Sequence, residues 1–217
     1  MFPQVLASST AIETRGMPMP SYPATLTFEP PEKVANWRPV LNWLLAVPHF
    51  VILYPLRLLA EVVGVISWFV ILFTGTLPEA FANIQAMYLR YELRTYTYAL
   101  FMREEYPPFA FAMTPSDGGE DSGVRVEFHP QLVDRNRVTV GFRIFLIIPQ
   151  LLAVAVLGVL SAVLTVIAFF IVLFTGRWPE GMRNFVVNVM RWYLRVQTYF
   201  LLLADDYPPF TLDVEGT

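Results

Sequence analysis

The 217-residue chain contains no cysteine, two histidines, His49 and His129, and a single lysine, Lys33. The missing cysteines exclude disulfide frameworks, thiolate metal sites and cysteine nucleophiles together. Two histidines leave little for imidazole ligation of a metal or haem. Charge is scarce as well: 15% of residues are charged, against about 25% in a soluble domain. A net charge of −3 also lacks the basic balance of a nucleic-acid-binding surface. What fills the chain is apolar, 55% of it, with a mean hydropathy of +0.49. That excess excludes intrinsic disorder and points to an integral membrane protein. No glycine-rich phosphate loop, metal motif, nucleophile elbow or Ser/His/Asp set occurs. The expectation is therefore a protein that is not an enzyme, with no cofactor, metal or identifiable small-molecule substrate.

The apolar residues are organised by a duplication. Pro48 to Phe109 aligns without gaps on Pro149 to Phe210, a shift of about 101 residues with roughly 24 identities in 62. Chance matching of Leu and Val does not explain it, because FTGTLPE (Phe73 to Glu79) returns as FTGRWPE (Phe174 to Glu180), and EEYPPF (Glu104 to Phe109) as DDYPPF (Asp205 to Phe210). Upstream, LTFEP from Leu26 matches VEFHP from Val126 at a shift one residue smaller. The chain divides into an N-terminal extended tail over residues 1–24, unit one over 25–113, a polar linker over 114–123 and unit two over 124–217. Met1 to Pro20 has no basic start followed by an apolar core, so no cleavable signal peptide is expected.

Each unit opens with a β-prone stretch and continues into an apolar block, about Val40 to Phe73 and Ile144 to Phe174, the second without any charge. Such a block exceeds the roughly 20 residues that span a bilayer. It reads as one long kinked or tilted helix or as a tight hairpin of two short ones, with Pro48 and Pro149 plus Pro55 or Gly158 offering the breaks, and the hairpin is the favoured reading. Gly75 and Gly176 are suited to end the helix in the left-handed conformation. Pro78-Glu79 and Pro179-Glu180 are suited to start the next. After YPPF, Phe109 to Met113 and Phe210 to Val214 alternate as strands do. With Leu26 to Phe28 and Val124 to Phe128 they predict a small four-stranded sheet outside the lipid, the strand before each membrane segment pairing with the strand after it. The acids gather on this sheet side and the arginines in the helical blocks, but Arg38, Arg135 and Arg137 flank the membrane segments and leave the orientation open.

In the second helical block of unit two, Asn184, Asn188, Arg191, Arg195 and Thr198 share one helix face. Unit one repeats the stripe as Asn83, Met87, Arg90, Arg94 and Thr97. Guanidinium forks bind phosphates and carboxylates bidentately, so Arg90, Arg94, Arg191 and Arg195, with Asn83 and Asn184, are the candidate residues for an anionic lipid or a partner protein. An interfacial helix with its arginines among headgroups, or one whose arginines pair internally, uses the same pattern. Arg57 and Glu61 are spaced for an i,i+4 ion pair. His49 reads as a packed or interfacial residue rather than a ligand, since its repeat equivalent is Gln150, and His129 as a surface residue.

The proline-broken apolar block, F-T-G-x-x-P-E, the arginine-bearing helix and the Y-P-P-F ending together resemble the bacterial family catalogued as domain of unknown function 4389. Both units carry the motifs, from about Arg38 onward. The resemblance implies a tandem membrane architecture, in a bacterial cytoplasmic membrane, and brings no catalytic residues. The fold expected is mainly α and integral to the membrane: tandem helical units with a small β-sheet outside the lipid. The function expected is an accessory or scaffold subunit of a larger membrane complex, whose partners are membrane lipids and other membrane protein subunits. The alternative is an anionic-lipid-binding or transport protein using the arginine stripes.

Overall fold

The computed structural model describes residues 22–212. The tail assigned to residues 1–24, apart from its last three residues, and the end of the expected strand Phe210 to Val214 lie outside the described residues. Two strands and seven helices follow in the order β1 (Ala24–Phe28), α1 (Arg38–Leu45), α2 (Val47–Thr74), α3 (Glu79–Ala99), β2 (Val124–Phe128), α4 (Arg137–Gly141), α5 (Arg143–Leu146), α6 (Ile148–Thr175) and α7 (Glu180–Phe200), counted among the described residues.

The apolar blocks are single kinked helices rather than hairpins. Pro48 and Pro149 have no N–H to give the preceding turn. The ladder nevertheless continues across them, with Ala46 N–H donating to Asn42 O at 2.8 Å and Phe50 N–H to Ala46 O at 3.0 Å. Ile147 and Leu151 carry it through unit two in the same way. Pro55 is likewise absorbed inside α2. The helices stop where glycine permits it, at Gly75 (φ 75°) and Gly176 (φ 68°). Pro78 and Pro179 stand one place before their helices, in extended conformation, and the first helical residues are Glu79 and Glu180.

Among the described residues the sheet has two strands, not four, and it joins the units instead of closing each one. β1 and β2 are antiparallel, with Leu26 opposite Val126. Phe109 to Met113 forms no strand. Aromatic contacts hold it instead: Phe109 stacks on His49 at 4.4 Å and Phe111 packs on Tyr91 at 5.1 Å between ring centroids.

Equivalent residues meet throughout, which defines a pseudo-twofold axis. Leu26 faces its own repeat equivalent, so the axis passes through the sheet at right angles to it. Val34 N–H donates to Gly176 O at 2.8 Å, and the equivalent Arg135 N–H to Gly75 O at 3.1 Å. Each long helix therefore ends beside the start of the other, and the two run antiparallel across the axis. α1 packs on α6 and α4 on α2, while α3 and α7 meet each other and support β2 and β1. The core is shared by both units and contains Leu26, Val126, Leu89, Leu93, Leu194 and Leu203.

The outer faces of the long helices are apolar and exposed. In α6 only Gln150, Ala168 and Val172 are buried. Both α2 and the continuous stretch from Arg143 to Thr175 are long and apolar enough to cross a membrane.

Candidate functional site

The arginine stripes face the sheet. Arg90 donates from Nε to Val126 O at 3.2 Å, and its equivalent Arg191 from Nε to Leu26 O at 3.0 Å. These carbonyls lie on the outer edges of a two-stranded ribbon, where no further strand among the described residues pairs with them. An edge left open is a template for unwanted pairing, and here a guanidinium from the opposite unit closes each one. Arg90 also reaches Thr114 O and Pro115 O, the latter at 2.8 Å. Arg191 holds Asn188 Oδ1 at 2.8 Å, and Arg195 donates to Thr211 O.

In unit one the stripe meets the linker. Arg94, 1% exposed at its side chain, pairs with Asp117 at 2.7 Å and lies 3.5 Å from Glu120 and 3.9 Å from Asp121. Asp121 is bound in turn by Arg103 at 2.6 Å. Burial raises the Asp117 pKa, but the Val126 and Gly119 amides and the guanidiniums of Arg94 and Arg90 outweigh it and hold the carboxyl below the usual carboxylate range. The residues 114–123, read as a polar linker, are thus folded over the arginines. Of the six candidate residues, the four arginines gather around the two strands and their flanks. Asn83, half-buried, and Asn184, exposed, sit two turns nearer the helix starts.

A second cluster lies on the axis. Glu92 and its repeat equivalent Tyr193 touch, with the Tyr193 hydroxyl donating to Oε2 at 3.0 Å and the Tyr88 hydroxyl to Oε1 at 2.8 Å. Burial raises the Glu92 pKa, and the two phenol bonds oppose it only in part. An acid whose pKa is raised by folding stabilises the fold below its unfolded pKa, about 4.3, and loses that contribution as pH rises through the folded value. Glu92→Gln is therefore expected to remove a decline in stability above about pH 4.3, read as thermal unfolding midpoints across a pH series; an unchanged slope would contradict it.

At the start of each block one side chain locks the end of the returning helix. Asn42 Nδ2 donates to Tyr98 O at 2.9 Å and Arg103 O at 3.2 Å. Its equivalent Arg143 reaches the equivalent carbonyls, Tyr199 O at 2.6 Å and Ala204 O at 2.7 Å, and adds Asp205 at 2.6 Å. The first acid of each pair before Y-P-P-F reaches back to the start of its own unit's block: Glu104 accepts from Ala35 N–H, and Asp205 from Asn136 N–H at 2.8 Å.

The remaining expectations concern α2. Arg57 and Glu61 form their ion pair at 2.8 Å. The pair opens on a groove of about 650 Å³ bounded also by Gly64, Trp68, Arg143 and Leu201. His49 is buried, with Nδ1 2.6 Å from the Tyr91 hydroxyl. Gln150 takes its place in unit two, accepting from Trp192 Nε1 at 2.8 Å. His129 is exposed. Among the described residues no three His, Asp or Glu side chains gather as a metal site.

A family model described as Domain of unknown function (DUF4389) matches residues 36–110 and 137–211. The chain belongs to this family. No curated protein and no solved structure matches it. Each DUF4389 copy begins just before the block helix and closes just after Y-P-P-F, so all four arginines lie inside the copies. Both strands, Asp117 and Asp121 lie outside them. The sheet and the folded linker are what this chain adds between and before its two DUF4389 copies.

Proposed function

We propose that this DUF4389 chain is a non-enzymatic integral membrane protein serving as an accessory or scaffold subunit of a larger membrane complex. The observation that carries the reading is the division of the surface. An apolar exterior covers α2 and α6, interrupted on α2 by the exposed Arg57–Glu61 pair, while the sheet turns Thr27 and Arg125 to the outside near the axis. Exposed apolar area on this scale marks contact with lipid or protein. The arginine stripes favour a scaffold over anion binding, because Arg90 and Arg94 already hold carbonyls and carboxylates of their own chain.

A photo-crosslinking side chain placed at Arg125, and separately at Val163 on α6, tests the reading after gentle detergent extraction. The expected result is one protein partner at fixed stoichiometry, crosslinked from position 125 and not from 163. Extraction as a lone monomer would overturn it. Stoichiometric anionic lipid that is lost in Arg191→Ala/Arg195→Ala would overturn it in favour of lipid binding.

A further inference from the structure

The pseudo-twofold axis constrains how the long helices meet lipid. We propose that α1–α2 and α4–α6 do not cross the bilayer but lie in its plane, sunk in the hydrocarbon of one leaflet, with the sheet in water on the same side. The proposal rests on the reading that these helices are membrane-embedded, and it specifies the surface they bind as a single lipid leaflet.

Antiparallel helices related by a twofold axis are perpendicular to that axis. Were they to cross the membrane, the axis would lie in the membrane plane. The sheet, centred on the axis at Leu26 and Val126, would then sit at mid-depth in the bilayer. It carries exposed Arg125 and Thr27 and half-buried Glu127 on its outer side, with Asp117 and Glu120 in the adjoining linker. Hydrocarbon does not tolerate exposed irregular backbone, and charges at that depth are costly. With the axis along the membrane normal, this side of the molecule and its exposed groups face water.

Length agrees. Exposed apolar residues recur without a polar end from Trp37 and Val40 through Leu44, Val51, Leu58 and Ile66 to Phe73. At 1.5 Å per residue that stripe measures about 54 Å, against a hydrocarbon core of about 30 Å. A crossing helix would leave several turns of Trp and Leu outside the core at one or both ends. A helix about 10–12 Å across, laid flat, fits within one leaflet. Unit two repeats the stripe from Val138 and Phe142 to Phe174. Between Arg38 and Glu79 the only charges are Arg57 and Glu61, which bond each other beside the groove.

The chain has no cysteine, so single cysteines report position without background. Glu32→Cys, Thr76→Cys, Arg125→Cys and Arg177→Cys place thiols before α1, after α2, on the sheet and after α6. They are treated with a membrane-impermeant maleimide in right-side-out and in inverted vesicles from expressing cells, alongside an alkaline carbonate wash. The expected result is retention through the wash and labelling of all four positions from one and the same side. Retention with Thr76→Cys labelled from the side opposite Glu32→Cys and Arg177→Cys would overturn the in-plane arrangement alone. Release by the wash would overturn the membrane reading and the arrangement with it.

Discussion

Asp117→Ala is expected to destabilise the fold by about 3–5 kcal/mol, the range seen when one partner of a buried ion pair is removed. The carboxylate has no exposed side-chain surface. It accepts from Arg94 Nη2 at 2.7 Å, Val126 N–H at 2.9 Å and Gly119 N–H at 2.9 Å, with Arg90 Nε at 3.5 Å. Removing it leaves two buried guanidiniums short of an anion and an edge amide of β2 without an acceptor. Asp117→Asn keeps an acceptor oxygen but not the charge, so it should fall between wild type and alanine. The pH dependence gives an independent check. A carboxyl held below its ordinary value contributes stability that is complete above the unfolded pKa, about 3.9, and is lost as pH falls through the folded value. Denaturant titrations in detergent should therefore show the wild type losing stability into acid and Asp117→Ala losing less. A change under about 1 kcal/mol, the size of a surface pair, would contradict this account.

The same cluster marks where sequence reading stopped. The duplication, the glycine stops and the Arg57–Glu61 pair were legible because each depends on neighbours within a few residues or on the repeat register. The destination of the arginines was not. A guanidinium is equally suited to phosphate, carboxylate or carbonyl, and only the fold brings Val126 and Asp117 to Arg90 and Arg94. Asp117 itself sits in TPSDGGEDSG, whose glycines and serines resemble any solvated loop. The sheet was misread for a related reason. Strand pairing is non-local, and the alternation in Phe109 to Met113 is equally that of rings set against His49 and Tyr91. Likewise a proline signals a break without saying whether the chain turns back or only bends.

Unit two concentrates its electrostatics on Asp205, and Asp205→Ala is the second substitution expected to cost about 3–5 kcal/mol. Asp205 Oδ1 is 2.7 Å from Arg135 and 2.6 Å from Arg143, whose side chains are 0% and 2% exposed. Burial raises its pKa, but Arg135, the Asn136 amide and Arg143 outweigh that and keep the carboxyl low. Unit one makes the same joint with little charge. Asn42 replaces Arg143, and Glu104, 45% exposed at its side chain, stands 4.0 Å from Arg38. Glu104→Ala should accordingly cost no more than about 1 kcal/mol, as exposed pairs do. The repeat also supplies a compensating change. Arg143→Asn transplants the neutral solution, and the amide can donate to Tyr199 O and Ala204 O as Asn42 does to Tyr98 O and Arg103 O. With no buried cation left at position 143, part of the penalty for losing Asp205 disappears. A double-mutant cycle of Asp205→Ala and Arg143→Asn should then show favourable coupling within the 0.5–3 kcal/mol typical of residues in one network. Additive penalties would mean that Arg143 is held by its carbonyl bonds and its stacking on Tyr199, 4.0 Å from the ring centroid, and that the carboxylate serves Arg135 alone.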